Sequence, residues 1–163
     1  MTIVYLGLGS NVGDRAANLA AALSGLPSEV AVLKRSPIYE TPPWGYEQQD
    51  AFLNQVVQVE TDLGPLELLA LLKLIEADAG RTTTFRYGPR EIDIDILLYA
   101  DLVFEHETLT IPHPSLHERA FMLVPLADLA PGLMHPTLKQ TIAALRDALD
   151  TSEIKPYKPG RKK

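Results

Sequence analysis

An alternation of acidic and branched apolar residues in the middle of the chain constrains its fold more than any other feature. From Glu91 to Ile96 every acidic residue is followed by an isoleucine. A period of two predicts a β-strand with one apolar face and one acidic face, and we call this segment the acidic strand. Aspartate is a poor strand former and like charges on one face repel each other, so folding alone does not favour Asp93 and Asp95. Glu91 shares their face, but at the start of the strand we expect it to be solvated.

The two aspartates and the residues before them indicate a site for a metal-bound polyphosphate. The Cα atoms of Asp93 and Asp95 would lie roughly 6.6 Å apart, a spacing at which both carboxylates can bind one divalent ion or a pair. Arg81, Arg86 and Arg90 precede them, and residues 80–90 contain no acidic residue. The metal and the arginines would divide the ligand's charge, and oxygen ligands with phosphates indicate magnesium. The alternative is that the two aspartates simply form the solvated face of the strand. That alternative explains one aspartate, but not two on the same face directly after three arginines.

The composition excludes several classes of protein and site. The 163 residues contain no cysteine, which rules out disulfides, thiolate nucleophiles and cysteine zinc sites. A net charge of −6 argues against broad nucleic-acid binding. The apolar stretch Ile3 to Leu8 is too short for a signal peptide, and no stretch has the length of a membrane span. We expect one cytoplasmic, monomeric domain over residues 1–163 that makes no contact with membranes or nucleic acid, with a flexible basic tail at 155–163.

The order of the predicted elements indicates the fold class. It is βαββαβ, followed by two short strands and a helix. This order predicts an α+β, ferredoxin-like core, an antiparallel sheet with helices on one face and an extra C-terminal hairpin and helices. We expect the acidic face to be the one left free for a ligand. The predicted segments are strands Ile3–Leu8, Glu29–Tyr39, Phe52–Glu60, the acidic strand, Leu102–Phe104 and Thr108–Ile111, and helices Arg15–Leu26, Leu66–Ala79 and Leu138–Leu149.

Two further features are candidates for ligand binding. Phe52 and Asn54 lie two apart on a predicted strand, so a ring and an amide point to the same side and could stack on and read a flat heterocycle. A core phenylalanine next to a structural asparagine fits these two residues equally well. His113 lies between Pro112 and Pro114 and would be held rigidly. A rigid histidine is suited to donate a hydrogen bond to a phosphate. The alternative is a turn histidine that faces water.

Six ordered segments resemble the 6-hydroxymethyl-7,8-dihydropterin pyrophosphokinases of folate biosynthesis, from Val4 to about Pro131. The most specific is Arg86 to Asp95, which reads Arg-Tyr-Gly-Pro-Arg-x-x-Asp-x-Asp. The others are Leu8-Gly9-Ser10-Asn11, Tyr39-x-Thr41-Pro42-Pro43-x-Gly45, Phe52-Leu53-Asn54, Ile75-Glu76-x-x-x-Gly80-Arg81, and Pro112-His113-Pro114 through Arg119-x-Phe121.

The resemblance implies a reaction and a set of site residues. The β,γ-pyrophosphoryl group of ATP, the co-substrate, would pass to the hydroxymethyl oxygen of 6-hydroxymethyl-7,8-dihydropterin and release AMP, with two Mg²⁺ ions bound by Asp93 and Asp95. The implied catalytic residues are Arg81, Arg90 and Asp95. The implied pterin-binding residues are Thr41, Pro42, Pro43, Trp44, Gly45, Phe52, Asn54 and Phe121. The implied ATP-binding residues are Lys73, Glu76, Arg81, Arg86, Arg90, Ile96, Thr110, His113 and Arg119.

The chain departs from the family pattern at two positions. Thr83 stands where the family often has a second arginine, and Arg86 could replace it. Lys73 stands where a glutamine near the nucleotide base is often found.

Two other functions compete with this one. A metal-dependent phosphohydrolase could use Asp93 and Asp95 but would not need Phe52 with Asn54. A ferredoxin-like module that binds a ligand or RNA would leave the two aspartates unexplained, since an acidic sheet repels RNA.

Overall fold

The computed structural model describes residues 1–41, 51–79 and 91–157. None of the helices in these ranges is both long enough and apolar enough to cross a bilayer. The strands are β1 Thr2–Ser10, β2 Val30–Arg35, β3 Tyr39–Thr41, β4 Phe52–Thr61, β5 Asp93–Tyr99, β6 Phe104–His106, β7 Leu109–Ile111 and β8 Lys155–Pro156. The α-helices are α1 Arg15–Ser24, α2 Pro65–Ala79, α3 Ala120–Leu129 and α4 Ile142–Asp147, and a 3₁₀ turn covers Leu116–Glu118.

Six of these strands form one antiparallel sheet, which confirms the predicted combination of helices with an antiparallel sheet. Its order is β5-β1-β4-β3-β8, and β2 also pairs with β4. The acidic strand is β5, at the edge of the described sheet, and β1 is its central neighbour. β6 and β7 form a separate two-stranded sheet.

Each face of the sheet has its own apolar core. On one face, Leu6, Leu8 and the isoleucines of the acidic strand pack with residues of α1 and α2. On the other face, Tyr5 and Val56 pack with apolar residues of α3 and α4. The expectation that helices cover only one face is therefore wrong, because α3 covers the part of the second face around Tyr5 and Val56. The aspartates do lie on this second face.

Several predicted elements differ from those observed. The strand expected at Leu102–Phe104 is found at Phe104–His106. The strand expected at Glu29–Tyr39 is two strands, because at Ser36 the side-chain hydroxyl, and not a backbone carbonyl, accepts the hydrogen bond from the N–H of Val56 at 3.0 Å. The last helix begins at Ile142 and not at Leu138, because the hydroxyl of Thr141 caps it by accepting from the N–H of Ala144 at 3.1 Å.

The first residues of the predicted basic tail lie against the sheet. Lys155 and Pro156 form β8 and pair with Glu40 and Tyr39 of β3. The backbone N–H of Tyr157 also donates to the carbonyl of Ile38 at 2.8 Å. The remainder of the predicted tail, 158–163, lies outside the described residues.

Candidate active site

A row of paired residues across three strands brings the acidic strand next to the predicted pterin-reading pair. Gly9 in β1 pairs with Asp93 on one side and with Asn54 on the other. Directly paired residues of antiparallel strands point their side chains to the same face. Asp93 and Asn54 therefore flank a position that has no side chain, and Tyr39 extends the row on the far side of Asn54.

The missing side chain at Gly9 makes room for Phe52 and Asn54. A Cβ atom there would lie 3.0 Å from Oδ1 of Asn54 and 3.5 Å from Cδ1 of Phe52. Both side chains therefore reach over β1, as expected for residues two apart on one strand face. The ring and the amide lie together beside the acidic strand.

A second glycine in β1 brings α3 close to the sheet. A Cβ atom at Gly7 would lie 2.6 Å from Sδ of Met122, which is too close for a real contact. Gly7 pairs with Asp95. The beginning of α3, which carries Arg119 and Phe121, is therefore packed against the second aspartate.

Hydrogen bonding fixes the orientation of the Asn54 amide. Its Nδ2 donates to the hydroxyl oxygen of Thr41 at 2.9 Å. Asn54 and Thr41 are 2% and 4% exposed, so little water can replace this bond. One amide N–H is thereby used within the protein, and the arrangement joins two residues that the resemblance assigns to the pterin.

Arg119 connects the acidic strand to the start of α3. Its Nη1 lies 3.7 Å from Oδ2 of Asp95, and both side chains are about one quarter exposed, at 23% and 29%. Its guanidinium carbon lies 5.7 Å from the ring centroid of Phe121, within cation–π range. The structure therefore brings together three residues that the resemblance assigns to the metal, the nucleotide and the pterin.

Glu76 lies against the backbone of the acidic strand. Its Oε2 accepts a hydrogen bond from the N–H of Ile94 at 2.6 Å. Its Oε1 lies 3.5 Å from Nζ of Lys73, whose side chain is 64% exposed. Burial raises the pKa of the Glu76 carboxyl and the charge of Asp93 adds to the rise, although the Ile94 N–H and Lys73 oppose it. Glu76 thus contacts the strand that carries the aspartates.

His113 is a half-buried histidine whose ring is held by the following turn. Its Nδ1 accepts a hydrogen bond from the N–H of Ser115 at 3.1 Å, so the proton of the neutral ring is on Nε2. Burial lowers the pKa of His113 to about 4, and the positive charge of Arg119 contributes. His113 does lie in a turn, because its carbonyl accepts from the N–H of Leu116 at 3.1 Å, but its ring is only partly exposed to water.

His113 and Thr110 line a cleft of about 200 Å³ together with residues of β6 and β7. The backbone N–H of His113 also donates to the carbonyl of Leu97 in the acidic strand at 3.0 Å. His113 therefore lies against the acidic strand as well as beside the cleft. The remaining lining residues are Val103, Glu105, Ile111, Pro112, Pro114, His117, His135, Thr137 and Leu138.

Some of the predicted site residues are not on the acidic face, and others lie outside the described residues. The side chain of Ile96 is only 3% exposed and lies in the core on the opposite face. The predicted pterin-binding residues Pro42, Pro43, Trp44 and Gly45 and the predicted arginines Arg81, Arg86 and Arg90 lie outside the described residues.

The sequence reasoning missed Arg15. Its Nη1 donates to Oε2 of Glu40 at 2.7 Å and to the carbonyl of Ala51 at 2.8 Å. These two acceptors flank 42–50, the segment that contains most of the predicted pterin loop. Arg15 stands in the first turn of a surface helix, and no sequence pattern relates it to either acceptor.

The acidic strand fits a magnesium site that is completed by phosphates and water. In the described ranges no three metal-binding side chains converge. Magnesium is commonly bound by one or two carboxylates together with substrate phosphates, which Asp93 and Asp95 could provide. Glu91 is not the solvated residue expected, because its Oε1 is buried without a hydrogen-bond partner in the described part of the chain. A nearby cation would stabilise such an oxygen.

Comparison with known proteins gives consistent matches. Residues 5–131 match the family 7,8-dihydro-6-hydroxymethylpterin-pyrophosphokinase. The chain is 43% identical over 157 residues to a 2-amino-4-hydroxy-6-hydroxymethyldihydropteridine pyrophosphokinase of Aquifex aeolicus, covering 96% of both chains. It is 48% identical to the protein of that name from Methylorubrum extorquens, covering 89% of this chain and 94% of the relative. A crystal structure of Plasmodium falciparum HPPK-DHPS with SDX-DHP has the same fold, with a TM-score of 0.72 at 20% identity, over 96% of this chain and 47% of that one.

Proposed function

The chain belongs to the 7,8-dihydro-6-hydroxymethylpterin-pyrophosphokinase family, and on that premise we propose how its residues carry out the family's reaction. It transfers the pyrophosphoryl group of ATP to the hydroxymethyl group of 6-hydroxymethyl-7,8-dihydropterin, a step of folate biosynthesis. A metal-dependent phosphohydrolase has no support among the matches. The pairing of Asp93, Gly9 and Asn54 carries the proposal, because it puts a metal-binding carboxylate beside an amide that can read the pterin.

The pterin would bind over Gly9. Phe52 and Phe121 would cover its two faces, and the Asn54 amide, oriented by Thr41, would pair with its edge. The absence of a side chain at Gly9 supports this assignment, because it leaves the ring and the amide in reach of one flat ligand. These residues would hold the hydroxymethyl group towards Asp93 and Asp95.

Asp93 and Asp95 would hold two magnesium ions with the triphosphate. Bound magnesium would neutralise phosphate charge and lower the pKa of the hydroxymethyl group, so that no dedicated base is needed. Arg119, next to Asp95, would contact phosphate oxygens. We assign Arg81 and Arg90 the same task during transfer, and Arg86 the role of the arginine replaced by Thr83. The protein's contribution is mainly to align the hydroxyl with the phosphorus and to neutralise charge.

The strand order supports the ferredoxin-like arrangement predicted from the sequence. β2 and β3 both pair with β4, so they can be counted as two parts of one strand. The order is then acidic strand, β1, β4 and this divided strand, with β8 added beside β3. In that arrangement the glycine-containing β1 lies between the metal-binding and the pterin-binding strands.

An AMP-release assay with ATP, Mg²⁺ and 6-hydroxymethyl-7,8-dihydropterin tests the function. We expect wild-type protein to form AMP, and EDTA to stop it. Asp93→Asn and Asp95→Asn should each lower the rate at least about a hundredfold, since a metal ligand is lost. Absence of AMP with wild-type protein would refute the function, whereas an unchanged rate in either variant would refute only the metal assignment.

A further inference from the structure

The acidic strand has a single neighbouring strand in the described sheet. It is at the edge of the described sheet and pairs only with β1. The pairing is interrupted, since Tyr5 pairs with Leu98 but Leu6 pairs with Ile96. Such a bulge bends and twists a strand, and a shift of one residue would turn its side chains to the other face. The segment before the bulge carries both aspartates.

Glu76 provides an additional contact to this segment. Its Oε2 accepts from the N–H of Ile94 at 2.6 Å, a short bond of the kind formed by charged acceptors. Residues of an edge strand whose N–H groups face outward have no ladder partner. Ile94 lies between Asp93 and Asp95, so the bond restrains the Asp93–Ile94 peptide group, one of the two that join the candidate ligands.

The carboxylate of Glu76 has little surface left for a nucleotide. One oxygen is bonded to Ile94 and the other lies 3.5 Å from Lys73, and the side chain is 17% exposed. Glu76 also projects from α2, which packs on the face opposite to the aspartates. The geometry therefore fits an action of Glu76 through the acidic strand better than a direct contact of Glu76 with ATP.

We propose that Glu76 is a positioning residue, which acts through its bond to Ile94 to hold Asp93 and Asp95 in the arrangement that binds the metal. The inference deepens the proposed function, because it presumes that the two aspartates are metal ligands. The important property of Glu76 is an acceptor at this position. Glutamine can provide that acceptor, whereas methionine, of similar size, cannot.

Three variants separate this role from others. Glu76→Met removes the acceptor, Glu76→Gln keeps it without the charge, and Asp78→Asn removes an equal charge from an exposed position of the same helix. Hydrogen exchange of the Ile94 amide reports the bond itself. Electron paramagnetic resonance with Mn²⁺ and a non-hydrolysable ATP analogue reports metal binding without turnover. AMP release gives kcat, the KM values and the half-saturating Mg²⁺ concentration.

We expect Glu76→Met to speed exchange of the Ile94 amide and to weaken Mn²⁺ binding at least about tenfold, as loss of a group that orients a ligand does. The half-saturating Mg²⁺ concentration should rise in parallel, with little change in the KM for ATP at saturating Mg²⁺. Glu76→Gln should keep the Ile94 amide protected and lose less Mn²⁺ affinity than Glu76→Met, because a neutral acceptor still forms the bond, though more weakly than a charged one. Asp78→Asn should stay within about twofold of wild type in every measurement.

Three results would overturn the inference. The first is an unchanged Mn²⁺ affinity in Glu76→Met. The second is a Glu76→Met variant in which only the KM for ATP rises. The third is a Glu76→Gln variant that loses as much Mn²⁺ affinity as we expect of Glu76→Met although its Ile94 amide stays protected from exchange. The last comparison remains decisive if Glu76→Met does not fold. Failure of the proposed function is distinguishable, because wild-type protein would then release no AMP while the Mn²⁺ measurements still reported the role of Glu76.

Discussion

Nη1 of Arg15 lies 2.7 Å from Oε2 of Glu40, in an ion pair that joins the first turn of α1 to β3. The same nitrogen donates to the carbonyl of Ala51 at 2.8 Å. The two acceptors lie on either side of the segment predicted to contact the pterin. Arg15 therefore holds the two ends of that segment together from outside the substrate site.

Replacing Arg15 with glutamine should weaken pterin binding more than ATP binding. We expect the KM for the pterin to rise about three- to tenfold, corresponding to the roughly 1 kcal/mol of a partly exposed ion pair. Initial rates at varied pterin and ATP concentrations measure both KM values. Arg146→Gln is a matched control, because Arg146 forms an exposed 2.9 Å pair with Asp147. Equal changes in the two KM values would contradict the role assigned to Arg15.

Gly9→Ala should impair the pterin site with little effect on folding. The added Cβ would lie 3.0 Å from Oδ1 of Asn54, so the amide would have to move. We expect the KM for the pterin to rise at least about tenfold, since a displaced amide loses its pairing with the ligand edge. Gly64→Ala is the control, because its Cβ would meet only Oε1 of Glu67 at 3.5 Å. An unchanged pterin KM in Gly9→Ala would rule out binding over Gly9.

Thr41→Val should lower both stability and pterin affinity. The variant keeps the shape of the side chain but removes the acceptor for Nδ2 of Asn54, which is 2% exposed. An unpaired buried donor costs about 1–3 kcal/mol. Urea unfolding measures the stability, and pterin titration measures the affinity. Thr41→Ser keeps the hydroxyl and should lose much less stability and much less pterin affinity. Equal losses in the two variants would show that the hydroxyl does not account for the effect.

The parts of the fold that follow a simple period could be predicted from the sequence. The acidic strand and β4 have a buried face, so their alternation defines which side chains lie together, including Phe52 with Asn54. Helix α3 could not be predicted from its sequence pattern. Its residues are apolar nearly all round and include Pro125, which is typical of a helix end and not of an interior. Pattern reading therefore found no helix there.

Contacts between distant segments required either the resemblance or the structure. Arg119 and Asp95 lie on different elements, and only the resemblance related them to one site. Arg15 and Glu40 were related by neither, because a single ion pair leaves no periodic signal. The part played by Glu76 also differs from the nucleotide contact that the resemblance implied, since a bond to a strand amide cannot be read from side-chain types.

His113 should remain neutral well below the pH at which histidine normally titrates. Its burial lowers the pKa to about 4, whereas in the unfolded chain it is about 6.5. Between these values the unfolded state binds more protons, so the free energy of unfolding rises with pH. The stabilising contribution is complete above about pH 6.5 and is lost as the pH falls towards about 4. Nitrogen NMR of the imidazole rings should show His113 neutral at pH 5, and urea unfolding of His113→Asn should have a weaker dependence on pH in this range. A charged His113 ring at pH 6, or an unaltered pH dependence in the variant, would contradict the assignment.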